Sequence, residues 1–261
     1  MLKRTITNEN SKSNNENSKS KGFLESAQDA LIRRFGRPAK QPEPVVFEFT
    51  NDKALLHQYY MLRERMYRRM YNTEGYKAEM DVYDKLSHIL IARRGDLCIG
   101  GCRLLVREPD ESWDLPLESD DFKLRNILPN LMLDKYRHAE MSRFTVMEDC
   151  GSDTLIYDMS KIIIQKAIEM ENHYIFAWST YTLARNWRMI ASHFGLKKTT
   201  IYTDLDFPAP PVFDDGLKFY LIGSDLRDFI SDKEPEPNTE RKSLTPATNN
   251  VIRLVSENQE I

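Results

Sequence analysis

Apolar and polar positions change rhythm along this chain, and each change marks an element. VVFEFT, starting at Val45, alternates as a half-buried strand does. Asp52 then opens a helical run in which Leu55, Leu56, Tyr59, Tyr60, Leu62, Arg63, Met66 and Tyr67 recur at helical spacing. SHILIARRGDLCIGGCRLLV reads as a hairpin, with strands over 88–93 and 98–106 about a turn at Gly95 and Asp96. A polar, proline-bearing stretch, REPDESWDLPLESDD, and the segment FKLRNILPNLML lead to a strand in AEMSRFTVM. A helix over about 153–171 follows, with Leu155, Ile156, Met159, Ile162, Ile163, Ile164 and Ile168 in phase. YIFAWST is a strand, LARNWRMIASHFG a helix ended by Gly195, KKTTIYTD a strand, and LKFYLIGSD closes the sheet.

This order predicts an α/β (α+β) domain, a mixed central sheet with helices on both faces, over 45–230. The flanks differ in kind. Residues 1–21 are Asn, Ser, Lys and Glu with almost nothing apolar, the composition of a disordered tail. Over 22–44, Phe23, Leu24, Ala27, Leu31 and Phe35 predict a short amphipathic helix and linker, stopped by Gly36 and Pro38. Residues 231–261 read as a polar tail, with VIRLV as a short docking segment within it.

Composition narrows the function classes. Hydrophobic residues make up 41% and charged residues 30%, and no apolar run reaches the ~20 residues needed to span a bilayer. The polar start lacks a secretory signal, so a cytoplasmic location is expected. Net charge is −3, which gives no global field for nucleic acid or anionic lipid. Cys98, Cys102 and Cys150 form neither a C-x-x-C pair nor an even set, so neither a disulfide framework nor a metal site is expected. There is no G-x-S-x-G elbow and no P-loop.

Four local patterns carry chemistry together: LRERMY at 62–67, EMDVYD at 79–84, CRLL at 102–105 and EMSRF at 140–144. They set Arg63, Arg103 and Arg143 against Asp81, Asp84 and Glu140 in half-buried elements. Such charges must pair with one another or face a ligand cleft, because an unpaired charge in low dielectric costs several kcal/mol. One reading is an ion-pair network that ties a helix edge to the sheet. The other is a site in which a carboxylate holds or deprotonates an ammonium while an arginine forks onto a carboxylate.

In order and spacing these motifs resemble the acyl-homoserine-lactone synthases, which have a GNAT-like fold. The resemblance covers about 45–222: Leu62, Arg63 and Tyr67 on the early helix, Asp81 and Asp84 as the acidic pair, Arg103 in the second hairpin strand, and Glu140, Ser142, Arg143 and Phe144 in the Glu-x-Ser-Arg-Phe strand. It implies transfer of a fatty acyl group from acyl-carrier protein to the amine of S-adenosylmethionine, with lactone closure and no bound cofactor or metal. In that reading Glu140, Arg143, Asp81, Asp84 and Arg103 are catalytic, with Glu140 as base or base-orienting residue. Arg63, Tyr67, Ser142, Phe144, Phe176 and Trp178 then bind substrate, and backbone N–H groups near 144–146 stabilise the oxyanion. The family usually has Phe at Tyr67 and a Trp shortly after, where this chain offers Tyr71 and Tyr76. That departure bears on the acceptor and opens two alternatives: an N-acyl amino acid synthase on the same fold, or a catalytically silent binding module.

The donor can be argued from residues alone. MEDCGSDTL has one Gly and three acids, Glu148, Asp149 and Asp153, a poor cradle for a coenzyme A pyrophosphate and more compatible with a protein-borne phosphopantetheine. Carrier proteins are acidic, so Arg185, Arg188, Lys197 and Lys198 form a candidate docking patch. The acyl chain is expected against Ile175, Phe176, Trp178, Leu183 and Met189, unless these are plain core.

Overall fold

Asp52 accepts a hydrogen bond from the Leu55 N–H at 2.9 Å and so caps the long helix α1, Lys53–Tyr71. The computed structural model describes residues 43–148, 150, 152–208, 216–230 and 251–252. The expected tail 1–21, nearly all of the expected helix and linker 22–44, and most of 231–261 lie outside the described residues. Before α1 runs β1, Val45–Phe49. After it come a short helix α2, Val82–Leu86, and the hairpin β2, His88–Arg94, with β3, Leu97–Arg107. Gly95, at φ 59°, makes the hairpin turn.

The second half alternates. A short helix α3, Leu124–Ile127, and a 3-10 turn precede β4, His138–Val146; then come α4, Ser152–Glu169, β5, Tyr174–Thr180, α5, Tyr181–His193, β6, Thr199–Tyr202, and β7, Phe219–Asp225. In space the strands run β6, β7, β5, β4, β3, β2, β1, with the two residues of β8, Val251–Ile252, paired to Phe47 and Glu48. All neighbours are antiparallel except β4 and β5, which the α4 crossover joins in parallel.

Helices cover both faces of the sheet, so both are apolar and alternation sorts them. Leu90, Leu104, Met141 and Ile175 pack with Leu155, Met159, Ala184 and Trp187 of α4 and α5. Ile91, Leu105, Tyr174 and Phe176 pack with Leu56, Tyr59 and Tyr67 of α1. α1 approaches closely because Gly101 has no side chain: a Cβ there would stand 2.8 Å from the Tyr59 ring.

The expected hairpin and the helices after Asp52 and near Asp153 are present, with ends shifted by one or two residues. The segment after β3 is more ordered than its polar composition suggests. Buried Glu118 accepts the Leu115 N–H at 2.9 Å and the Leu124 N–H at 2.8 Å, and it ion-pairs with Arg107 at 3.0 Å. Leu115, Leu117 and Leu124 thereby enter the α1-side core.

Candidate functional site

The site is built where β4 parts from β5. Their pairing ends at Glu140 opposite Phe176, and beyond it β4, among the described residues, continues against β3 alone. The resulting wedge opens at Met141, while Thr145 and Val146, in the stretch expected to splay, remain paired with Gly101 and Gly100 of β3. A bulge follows at once. Ser142 opposes Arg103 and Thr145 opposes Gly101, so Arg143 and Phe144 together face Cys102.

The six ionisable residues singled out in the sequence meet on the α1 side of this wedge. Arg103, fully buried, donates from Nη1 to both oxygens of Asp81 at 3.2 and 3.1 Å and to Asp84 Oδ1 at 3.0 Å. Its Nε donates to Ser142 Oγ at 3.2 Å, and its Nη2 stands 3.9 Å from Glu140 Oε1. Arg63 Nη2 lies 3.6 Å from Asp84 Oδ2 and donates to the Glu79 carbonyl at 3.1 Å. Arg143 Nη2 lies 3.6 Å from Asp81 Oδ2, and its Nη1 lies 3.4 Å from the Tyr76 hydroxyl. Asp81 and Asp84 also close the capping box of α2, a helix too short for any apolar period to predict it.

A cavity of about 310 Å³ opens onto this network, lined by Arg63, Tyr76, Lys77, Glu79, Met80, Asp81 and Arg143. Asp81 and Arg143 reach solvent there, at 33% and 26% exposure. Arg63 is sealed, held over the Tyr59 and Tyr60 rings at 5.5 and 5.0 Å, and its Nε and Nη1 have no hydrogen-bond partner among the described residues. Tyr67 packs on Tyr76 with the rings tilted by 31° and their centres 5.3 Å apart, and Tyr71 meets Tyr67 edge-on at 5.6 Å. Tyr76 is therefore the aromatic residue that borders the cavity.

Glu140 does not line the cavity. It is fully buried, and its Oε2 accepts the Leu117 N–H at 2.9 Å. Burial raises its pKa above the ordinary glutamate value, while Arg103, the Ser142 hydroxyl and the Leu117 N–H oppose the rise. Oε1 of Glu140 and Nη2 of Arg103 have no hydrogen-bond partner among the described residues. Nothing in the sequence announces the Leu117 contact beyond Leu115, Leu117 and Phe122 interrupting an otherwise polar stretch.

The expected acyl surface is not one surface. Ile175 and Phe176 point to opposite faces of β5, as neighbours on a strand must. Leu183 and Met189 are 43% and 55% exposed on the outer side of α5. Phe176 is sealed in the α1-side core; Trp178 is half-buried, stacked on Phe207 at 5.8 Å and edge-on to Phe219 at 5.0 Å. Phe144 packs toward α4, away from the cavity. In the expected docking patch, Arg185, Arg188 and Lys197 line an open hollow of about 610 Å³ along α5. Lys198 instead pairs with Asp225 and Asp228 at 3.9 and 3.2 Å. Of the acids after β4, Glu148 is ion-paired with Arg69, and Asp149 lies outside the described residues.

Among the described residues no group of His, Cys, Asp and Glu could hold a metal ion, and no helix is long and apolar enough to cross a membrane.

Residues 62–159 match the family model described as an acetyltransferase (GNAT) domain. No curated protein matches the chain by sequence. Among solved structures, the chain is similar to FeeM, an N-acyl amino acid synthase from uncultured soil microbes, at 11% identity and a TM-score of 0.51, covering 72% of this chain and 94% of that one. It is also similar to the AHL synthase LasI, at 15% identity and 0.45 over 70% and 89%. A third is the CoA-dependent acyl-homoserine lactone synthase BjaI with SAM and isopentyl-CoA, at 18% and 0.47 over 67% and 78%. At these identities the likeness speaks for the fold alone, and the fold is that of the GNAT acyltransferases.

Proposed function

We propose, from a GNAT acyltransferase fold, that this chain moves a fatty acyl group from a carrier-protein thioester to the amine of S-adenosylmethionine and releases an N-acyl-homoserine lactone. One observation carries the reading: three arginines and three acids, drawn from α1, the α2 cap, β3 and β4, form one network that opens onto a polar cavity beside the β4–β5 wedge.

The chemistry follows from the placement. Asp81, partly exposed at the cavity, receives the acceptor's ammonium, and Arg143 forks onto its carboxylate. Arg103 fixes Asp81 through both oxygens and so sets the height at which the amine sits. The amine's proton passes to Glu140 by way of the Ser142 hydroxyl, and burial, which raises the pKa of Glu140, makes it a better proton acceptor than an ordinary glutamate. The free amine attacks the thioester carbonyl in the wedge, where β4 beyond Glu140 has no strand partner on the β5 side among the described residues. Its backbone N–H groups meet the developing oxyanion. Collapse breaks the C–S bond, the nitrogen's second proton passes to the departing sulfur, and the carrier leaves as its free thiol. The acceptor's carboxylate then displaces its own sulfonium, closing the lactone and releasing methylthioadenosine. The carrier docks on Arg185, Arg188 and Lys197 along the open hollow of α5.

A second reading keeps the first step and omits ring closure: an N-acyl amino acid synthase. Tyr76 favours it, because its hydroxyl stands 3.4 Å from Arg143 Nη1 in the lining of the cavity, where the resembled family has a Trp shortly after its Phe. The test is the full chain with acyl-carrier protein and either S-adenosylmethionine or free amino acids, with products read by mass spectrometry. A lactone with methylthioadenosine supports the first reading, and an open acyl amino acid the second. No acylated amine from any donor, acyl-coenzyme A included, removes both in favour of a silent module.

A further inference from the structure

Strict alternation along β4 would send Arg143 to the wrong side of the sheet. Met141 and Phe144 pack toward α4, while Glu140 and Ser142 lie on the α1 side beside Arg103. In a regular strand, Arg143 would follow Met141 into the α4 side. Instead it lines the α1-side cavity, because the bulge puts two successive residues, Ser142 and Arg143, on one face. The backbone of Arg143 is at φ 62°, a left-handed conformation that a non-glycine residue keeps only when its surroundings hold it there.

Two hydroxyls hold it. The Tyr59 hydroxyl donates to the Arg143 carbonyl at 2.7 Å, and Thr145 Oγ1 donates to the same oxygen at 3.2 Å. Tyr59 is the one that reaches across from another element. It is fully buried, it sits against Gly101 with no room for a Cβ between, and the Arg63 guanidinium lies over its ring at 5.5 Å. Burial holds its phenol well above the ordinary tyrosine pKa, with Arg63 opposing, so the group stays a donor at any working pH.

We propose that Tyr59 is a positioning residue for the acceptor: its hydroxyl fixes the bulge that turns Arg143 into the cavity, and its ring supports Arg63 at the cavity's other wall. The proposal rests on the reading of this cavity as the acceptor site. Tyr59 is fully buried outside the cavity lining and acts through the two arginines.

Tyr59→Phe keeps the ring and removes only the hydroxyl. A crystal structure of the variant is expected to show Arg143 out of the positive-φ region, with its guanidinium withdrawn from Asp81. With S-adenosylmethionine as the probe, its KM is expected to rise about tenfold while the KM for acyl-carrier protein and kcat stay within about twofold. A purely structural role would instead lower thermal stability and leave the acceptor KM unchanged. An unmoved Arg143 with an unchanged KM overturns the proposal. If the wild-type chain proves not to use S-adenosylmethionine, the functional reading fails, and the conformation of Arg143 in the variant still decides the positioning role. Should Tyr59→Phe not fold, Thr145→Val loosens the same carbonyl and is expected to shift Arg143 in the same direction; no shift would again overturn it.

Discussion

Arg103 Nη1 stands 3.0 Å from Asp84 Oδ1 with both side chains sealed from solvent. The pair sits at the centre of the network, and each neighbour is placed by it: Asp81 on one side, Arg63 on the other. Removing the cation leaves buried Asp84 with only the longer Arg63 contact at 3.6 Å and takes the partner from Asp81 as well. Arg103→Met is therefore expected to cost about 3–5 kcal/mol in urea unfolding, the usual loss when one partner of a buried pair is deleted. A loss below about 1 kcal/mol would mean that water reaches Asp84.

Glu140 carries a raised pKa caused by burial and opposed by Arg103. Its deprotonated form, the one able to accept a proton, becomes populated only above the ordinary glutamate range, so kcat/KM is expected to fall as pH drops through that raised pKa. Glu140→Gln should lower turnover by about 10²–10⁴-fold and remove that acid limb, while leaving the Arg103 contacts to Asp81 and Asp84 intact. An unchanged pH–rate profile would take Glu140 out of proton transfer.

His138 is buried at the start of β4, its Nδ1 set 2.9 Å from the Tyr136 carbonyl oxygen, and burial lowers its pKa below 6.5. A histidine with a depressed folded pKa binds its proton first in the unfolded chain. Stability is therefore lost as pH falls from about 6.5 toward the folded pKa. His88 and His173 shift in the same direction, also by burial, and add to the slope. His138→Leu is expected to flatten the fall in Tm between about pH 6.5 and 5; an identical slope would show that His138 does not titrate on unfolding.

The central sheet is legible in the sequence because its signals are strong: alternation in β1, apolar runs about the Gly95 and Asp96 turn in β2 and β3, and helical spacing after Asp52 and Asp153. The six charged residues are legible as well, since arginines and acids inside apolar runs need partners. Three features are not. The bulge at Arg143 depends on register with β3, which no local pattern encodes. The burial of Glu140 depends on the Leu117 N–H arriving from a segment 23 residues away along the chain. The separation of the expected acyl-surface residues is not legible either, since Leu183 and Met189 lie on the outer side of α5, whose buried side is Ala184, Trp187, Ile190 and Ala191.

Acceptor binding in the cavity depends most directly on the charge of Asp81. Asparagine caps a helix about as well as aspartate, so Asp81→Asn keeps α2 while removing the anion that receives the amine. With S-adenosylmethionine as acceptor, kcat/KM is expected to fall by about 10²-fold or more, with only a small change in Tm. A variant that acylates the amine as fast as the wild type would contradict the proposed role of this cavity.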